Sequence, residues 1–122
     1  MAIQIKRIYE AANETDGARI LIDRLWPRGV SKERAMLSGW YKDIAPSPQL
    51  REWFCHDAEK FSLFTQQYRQ ELATEPAKIK LEEELAALAE KGMVTLLYAA
   101  KDPAINHAVV LLQFMREKYH LS

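Results

Sequence analysis

Met93-Val94-Thr95-Leu96-Leu97-Tyr98-Ala99 is apolar almost from end to end, with Lys91-Gly92 before it and Lys101-Asp102-Pro103 after it. A short run of β-branched, aliphatic and aromatic side chains, closed by turn residues at both ends, reads as a strand. It has no polar alternation and so no face to give to water. Such a strand belongs in the middle of a parallel sheet that is covered on both sides.

The segments around it agree with that placement. Upstream, Pro76 opens a helix rich in Leu, Ala and Glu that Lys91-Gly92 closes. Asp57 caps the preceding helix, where Phe61, Phe64, Tyr68 and Leu72 recur at helical spacing. Ser47 followed by Pro48 starts a shorter helix that carries Leu50, Trp53 and Phe54. Residues 40–45 read as a weaker strand, and Ser31 caps a short helix over 32–38 that Gly39 ends. Residues 19–25 form a second strand, and residues 2–9, with Ile3, Ile5 and Ile8, form the first. The link between those two holds the turn signal Asp16-Gly17 and is too short for a helical crossover. They are therefore antiparallel or not direct neighbours. Downstream, Asp102-Pro103 repeats the cap-plus-proline helix start, and Ile105, Ala108, Val109, Leu112 and Met115 make one apolar stripe. Helix lies between strands two and three and between three and four, and right-handed crossovers make these three strands parallel. The sequence predicts one α/β domain over residues 1–122, a three-layer fold with a short, mostly parallel sheet flanked by helices.

Composition narrows the function. A chain of 122 residues fits a single core. Its 17 lysines and arginines balance 17 aspartates and glutamates, which excludes a dedicated, strongly basic nucleic-acid binder and leaves only a local patch. That patch is Arg24, Arg28, Lys32 and Arg34, opposed by Glu33. The single cysteine, Cys55, has no partner for a disulfide and, beside three histidines, is a poor metal signature. It reads as a packed thiol, not a nucleophile. The N-terminus alternates instead of forming a signal-peptide core, and no apolar run approaches the roughly 20 residues of a membrane span. The cytoplasm is the simplest address. There is no glycine-rich phosphate loop, paired-histidine zinc helix or Gly-x-Ser-x-Gly elbow, so neither cofactor nor metal is expected.

Three runs mix charge and turn residues, the first with Trp26 among them, each at the end of a candidate strand: residues 23–29 (Asp-Arg-Leu-Trp-Pro-Arg-Gly), residues 42–47 and residues 99–103. Parallel strands bring them to one edge, where open α/β sheets place their ligands, and helix N-termini there favour an anion. Arg24 and Arg28 offer planar forks for phosphate or carboxylate, with Trp26 between them. Alternatively they pair with Asp23, Asp43 or Asp57. Arg51, Ser47, Lys101 and Asn106 complete the candidate binding set. His56 beside Asp57, and His107, are the candidates for acid–base chemistry. The competing reading makes Asp57 only a cap, leaves His56 bonded to a backbone carbonyl and half-buries His107 beneath the edge.

These same residues carry a resemblance. Residues 20–29 (Ile-Leu-Ile-Asp-Arg-Leu-Trp-Pro-Arg-Gly) and Lys42-Asp43-Ile44-Ala45-Pro46-Ser47 are its first two runs. Leu50, Arg51, Trp53, Phe54, His56 and Asp57 extend the second, and residues 95–102 with Asn106-His107-Ala108 make the third. Together they resemble the YeaO-like members of domain-of-unknown-function family 488. That family often has proline after its His-Asp pair and tryptophan a few residues on, where this chain has Ala58 and Phe61. The resemblance implies a small cytosolic α/β domain and no established activity.

The expected function is therefore a pocket for a small anionic ligand, phosphorylated or nucleotide-like, at the carboxyl ends of the strands. The alternative is a non-catalytic module that binds nucleic acid or an acidic protein through the patch from Arg24 to Arg34.

Overall fold

Val94–Tyr98, β4, lies inside a four-stranded sheet of order β1-β4-β2-β3 in the computed structural model, which describes residues 2–122. The other strands are β1 (Ile3–Arg7), β2 (Ala18–Leu21) and β3 (Gly39–Trp40), and every pairing is parallel. All five residues of β4 are buried, as the lack of alternation requires. Leu96 stands in register with Ile5 on one side and Ile20 on the other. β1 and β2 are not neighbours, because β4 separates them. The link between them, residues 8–17, makes its return without a crossover helix. Ten extended residues reach roughly 33 Å, about twice the length of a five-residue strand.

The two faces of the sheet are covered unequally. Ile20, Ile22, Val94, Leu96 and Tyr98 pack in the main core with buried residues of α3 (Phe61–Thr74), α4 (Pro76–Lys91) and α5 (His107–Tyr119). Leu21, Leu97 and Ile8 pack instead with Val30 and Ala35, the latter from the single-turn helix α1 (Lys32–Ala35). A polar knot ties three strands together. The Thr95 hydroxyl donates to the Asp16 carbonyl (2.6 Å), and the Asp16 carboxylate accepts from Arg19 and from Lys6. Gly17 has φ 64°, and a Cβ there would stand 2.2 Å from the Met93 carbonyl oxygen, so only glycine fits this turn.

Several element boundaries depart from the sequence reading. β2 ends at Leu21 and β3 covers only two residues, after which Lys42–Ile44 forms a 3-10 turn. Tyr68 donates its hydroxyl to the Ile44 carbonyl (2.7 Å) and Lys78 its ammonium to the Asp43 carbonyl (3.0 Å), which draws this segment onto the helices instead of the sheet. Met36, in the left-handed region at φ 48°, ends α1, while Gly39 belongs to β3. The last helix begins at His107 with Asn106 as its cap. Asp102-Pro103 makes only a turn, whose carboxylate accepts from the Ala104 and Ile105 amides. The buried stripe of α5 is Ala108, Val110, Leu111, Phe114 and Met115, rotated from the expected one. Cys55 is exposed, not packed; it terminates α2 (Pro48–Phe54) in a left-handed conformation, with its amide donating to the Arg51 carbonyl. Among the described residues no helix is long and apolar enough to cross a membrane.

Candidate functional site

The carboxyl ends of β2 and β4 open into a cavity of about 560 Å³, within the range that small-molecule sites occupy. Four segments build its wall: Asp23-Arg24-Leu25 after β2, Ala45-Pro46 after the 3-10 turn, residues 99–102 after β4, and Arg51, Phe54 and His56 on and after α2. Phe64, Ile105 and His107 close it. Phe54 and Phe64 stack with centroids 4.1 Å apart and give the cavity an aromatic wall.

Three fixed cations, Arg24, Arg51 and Lys101, meet two carboxylates, Asp23 and Asp102, around this space. The carboxylates are already engaged. Asp23 Oδ2 accepts from the Ala99 amide (3.0 Å), and Asp102 Oδ1 accepts from Ala104 (2.8 Å) and Ile105 (3.1 Å). The cations are less so. Arg24 donates weakly to the Ala45 and Pro46 carbonyls (3.4 and 3.3 Å) and stands 3.7 Å from Asp43, whose side chain is 65% exposed and therefore well screened by water. The Arg24 Nε is buried with no hydrogen-bond partner. Arg51 and Lys101 make no side-chain hydrogen bond or ion pair among the described residues.

His107 opens α5 and reaches back under the edge. Its Nε2 lies 3.0 Å from the Ile22 carbonyl and 3.2 Å from Asp23 Oδ1, and its ring meets Tyr68 edge-on at 6.3 Å. Asp23 Oδ1 is itself buried with no hydrogen bond of its own, so the single histidine hydrogen on Nε2 faces two acceptors and goes to the nearer. Both side chains are mostly buried, 16% and 17% exposed. Burial pushes the Tyr68 phenol well above its usual range, with Glu71, Glu82 and Asp23 adding to the effect. It remains a donor to Ile44.

The cavity thus gathers Arg24, Arg51, Lys101, His56 and His107 from the sequence-predicted set and leaves out Trp26, Arg28, Ser47, Asp57 and Asn106. Those five have other partners or directions. Trp26 Nε1 donates to the Val30 carbonyl (2.7 Å) and its ring meets Trp40 edge-on. Arg28 is exposed away from the cavity, where its carbonyl accepts from the Tyr9 hydroxyl. Ser47 caps α2 through Leu50 and binds Glu71 by its hydroxyl and amide (2.7 and 2.9 Å). Asp57 accepts from the Glu59 amide. Asn106 accepts from the Val109 amide and donates to the Asp102 carbonyl. Asp23 and Asp102 are the charged residues the sequence reading missed as site members. They entered only as a counter-charge and a helix cap, although a polar residue just beyond a buried parallel strand is itself a site signal.

Residues 2–122 match the family described as the inactive DUF488-N3 subclade, and the chain belongs to it. The three runs that carried the resemblance therefore identified the right family. The chain is 45% identical over 116 residues to the uncharacterised protein YeaO of Escherichia coli, an alignment that covers 95% of this chain and 98% of that one. It is 38% identical over 113 residues to uncharacterised proteins of Mycobacterium bovis and Mycobacterium tuberculosis, covering 93% of this chain and 92% of each. No solved structure matches it.

Proposed function

We propose that this member of the inactive DUF488-N3 subclade binds a small anionic ligand, phosphorylated or nucleotide-like, in the cavity at the carboxyl ends of β2 and β4. The observation that carries the reading is the pair Arg51 and Lys101. They line one cavity from positions fifty residues apart in the chain, and neither makes an ion pair among the described residues. Grouped cations without partners repel each other, and an anion removes that repulsion. The aromatic wall of Phe54 and Phe64 suits a ligand with a flat apolar body beside its charge.

The family's description as inactive supports a reading without turnover. The wall holds no serine or cysteine, and Asp57 lies outside it, while His56 and His107 both line it. The alternative, a nucleic-acid or acidic-protein surface running from Arg24 to Arg34, has less support. Arg24 lines the cavity, Arg34 donates to the Tyr9 carbonyl (3.1 Å), and Arg28 stands apart from both. The proposal includes a cytosolic setting, where a lone exposed thiol such as Cys55 stays reduced.

Thermal unfolding in sulfate or phosphate against chloride at matched ionic strength tests the pocket. Sulfate and phosphate also stabilise proteins without binding, so the control is the double variant Arg51→Ala, Lys101→Ala. Both side chains are exposed, and the double variant is expected to fold with stability within about 0.5 kcal/mol of the parent at each position. The expected result is a larger anion-induced rise in Tm for the parent. Equal rises in both proteins would overturn the proposal.

A further inference from the structure

We infer that an anion enters this cavity together with a proton, which is taken up on Nδ1 of His107. The inference rests on the anion-pocket reading above and concerns how that site is regulated. Nε2 of His107 faces the Ile22 carbonyl at 3.0 Å and Asp23 Oδ1 at 3.2 Å. A carbonyl and a carboxylate can only accept, so Nε2 carries a hydrogen in the neutral ring as well as in the charged one. The neutral ring therefore keeps its lone pair on Nδ1, which makes no hydrogen bond among the described residues. Toward an anion oxygen that nitrogen is acceptor against acceptor. One added proton turns it into a charge-assisted donor.

Asp23 supplies the fixed negative charge beside this ring. Its carboxylate belongs to the cavity wall and opposes any anion brought there. Its Oδ2 is held by the Ala99 amide, and its buried Oδ1, without a hydrogen bond, stands 3.2 Å from His107 Nε2. A protonated His107 offsets that charge and makes an ion pair with it, so Asp23 is a positioning residue for the imidazolium. The other charged and titratable groups on the surrounding elements are Arg24 and Asp43 near β2, Arg51 and His56 from α2, and Lys101 and Asp102 after β4. Tyr68 and Glu71 belong to α3. Histidine is the side chain that ordinarily changes charge between about pH 5 and 8, which leaves His56 and His107 as the groups to separate.

Calorimetric titration with sulfate, in two buffers of different ionisation enthalpy, reads the proton count directly. Sulfate does not titrate in this range, so protons taken up go onto the protein. The expected result is net proton uptake on binding in the upper part of the range, with affinity falling roughly tenfold between about pH 5.5 and about pH 8. In His107→Gln, whose amide can still donate to the Ile22 carbonyl, the uptake is expected to disappear; in His56→Gln it is expected to persist. In the parent protein, the proton resonances of the His107 ring, and not those of His120 at the opposite end of α5, are expected to respond to sulfate. That reading stands even where a variant does not fold. Sulfate binding with no proton uptake, or uptake lost with His56 and kept without His107, overturns the inference and leaves the anion pocket standing. No sulfate binding at any pH overturns both.

Discussion

Replacing Asp16 with asparagine removes the charge at the centre of the knot that joins β1, β2 and β4. The carboxylate is buried. Its Oδ2 accepts from Arg19 Nη1 and from the Asn13 amide (3.0 Å), and both of its oxygens stand 3.1 Å from Lys6 Nζ. Arg19 is 4% exposed and its Nη2 already lacks a partner, so in Asp16→Asn a buried guanidinium loses the one counter-charge it has among the described residues. Breaking a buried pair from one side costs about 3–5 kcal/mol. The lower end applies, since the asparagine oxygen still accepts one hydrogen bond and Lys6, 17% exposed, can turn to water. Urea unfolding near pH 7 is expected to show a loss of about 3 kcal/mol with an unchanged m value. The pH arm has a definite sign. Burial alone would raise the Asp16 carboxyl, but the Asn13 amide, Lys6 and Arg19 outweigh it and hold the group below the ordinary carboxylate range. A lowered folded-state value contributes stability above the unfolded value, about 3.9, and loses it as pH falls through the folded one. The gap between parent and variant is thus constant from about pH 5 to 8 and narrows in acid below about pH 4. A loss under about 1 kcal/mol near neutrality, or a gap that stays constant into acid, would refute the reasoning.

Two further substitutions separate the sheet from the site. Leu96→Ala empties a fully buried position at the middle of β4, between Ile5 and Ile20, and is expected to cost about 2–5 kcal/mol in denaturant titration, where an exposed lysine or arginine of the cavity would cost a fraction of that. Gly17→Ala puts a methyl 2.2 Å from the Met93 carbonyl oxygen, which also accepts from the Ala18 amide (2.9 Å). The expected loss exceeds the roughly 1 kcal/mol of an unfavourable backbone angle alone, and a neutral result in thermal unfolding would mean the turn can reopen without β4.

The fold was legible where one physical demand dominated. Val94–Tyr98 has no polar face, so a central, doubly covered position was the only one open to it, and the parallel order of β2, β3 and β4 followed from the helices between them. Competing demands hid the rest. Residues 40–45 carry strand-like side chains, but the Tyr68 hydroxyl and the Lys78 ammonium claim the backbone carbonyls of Ile44 and Asp43, and those donors lie more than twenty residues away in sequence. The start of α5 was misplaced by a like competition. Asp102-Pro103 and Asn106 are both good helix starts, and Asn106 caps Val109 while Asp102 makes a turn whose carbonyl Asn106 itself binds.

The same competition explains why half of the candidate site was legible and half was not. Ser47, Asp57 and Asn106 are residue types that serve ligands and helix ends equally well, and a helix end lies one or two bonds away. Their oxygens accept from the Leu50, Glu59 and Val109 amides, so the chemistry that made them conspicuous is used within the fold. Trp26 and Arg28 were conspicuous for sitting in a turn, and the turn aims them away from the edge: Trp26 to Val30 and Trp40, Arg28 into water. Arg51 and Lys101 have no such local duty. A guanidinium on an exposed helix face and an ammonium three residues past a strand end gain little from the backbone around them, and neither makes an ion pair among the described residues. At a strand edge of this kind, the residues to weigh for a ligand are the charged ones the backbone does not need. Asp23 falls between the two cases, with one oxygen spent on the Ala99 amide and the other left beneath His107. That division of one carboxylate between fold and cavity makes the proton on His107 the quantity to measure.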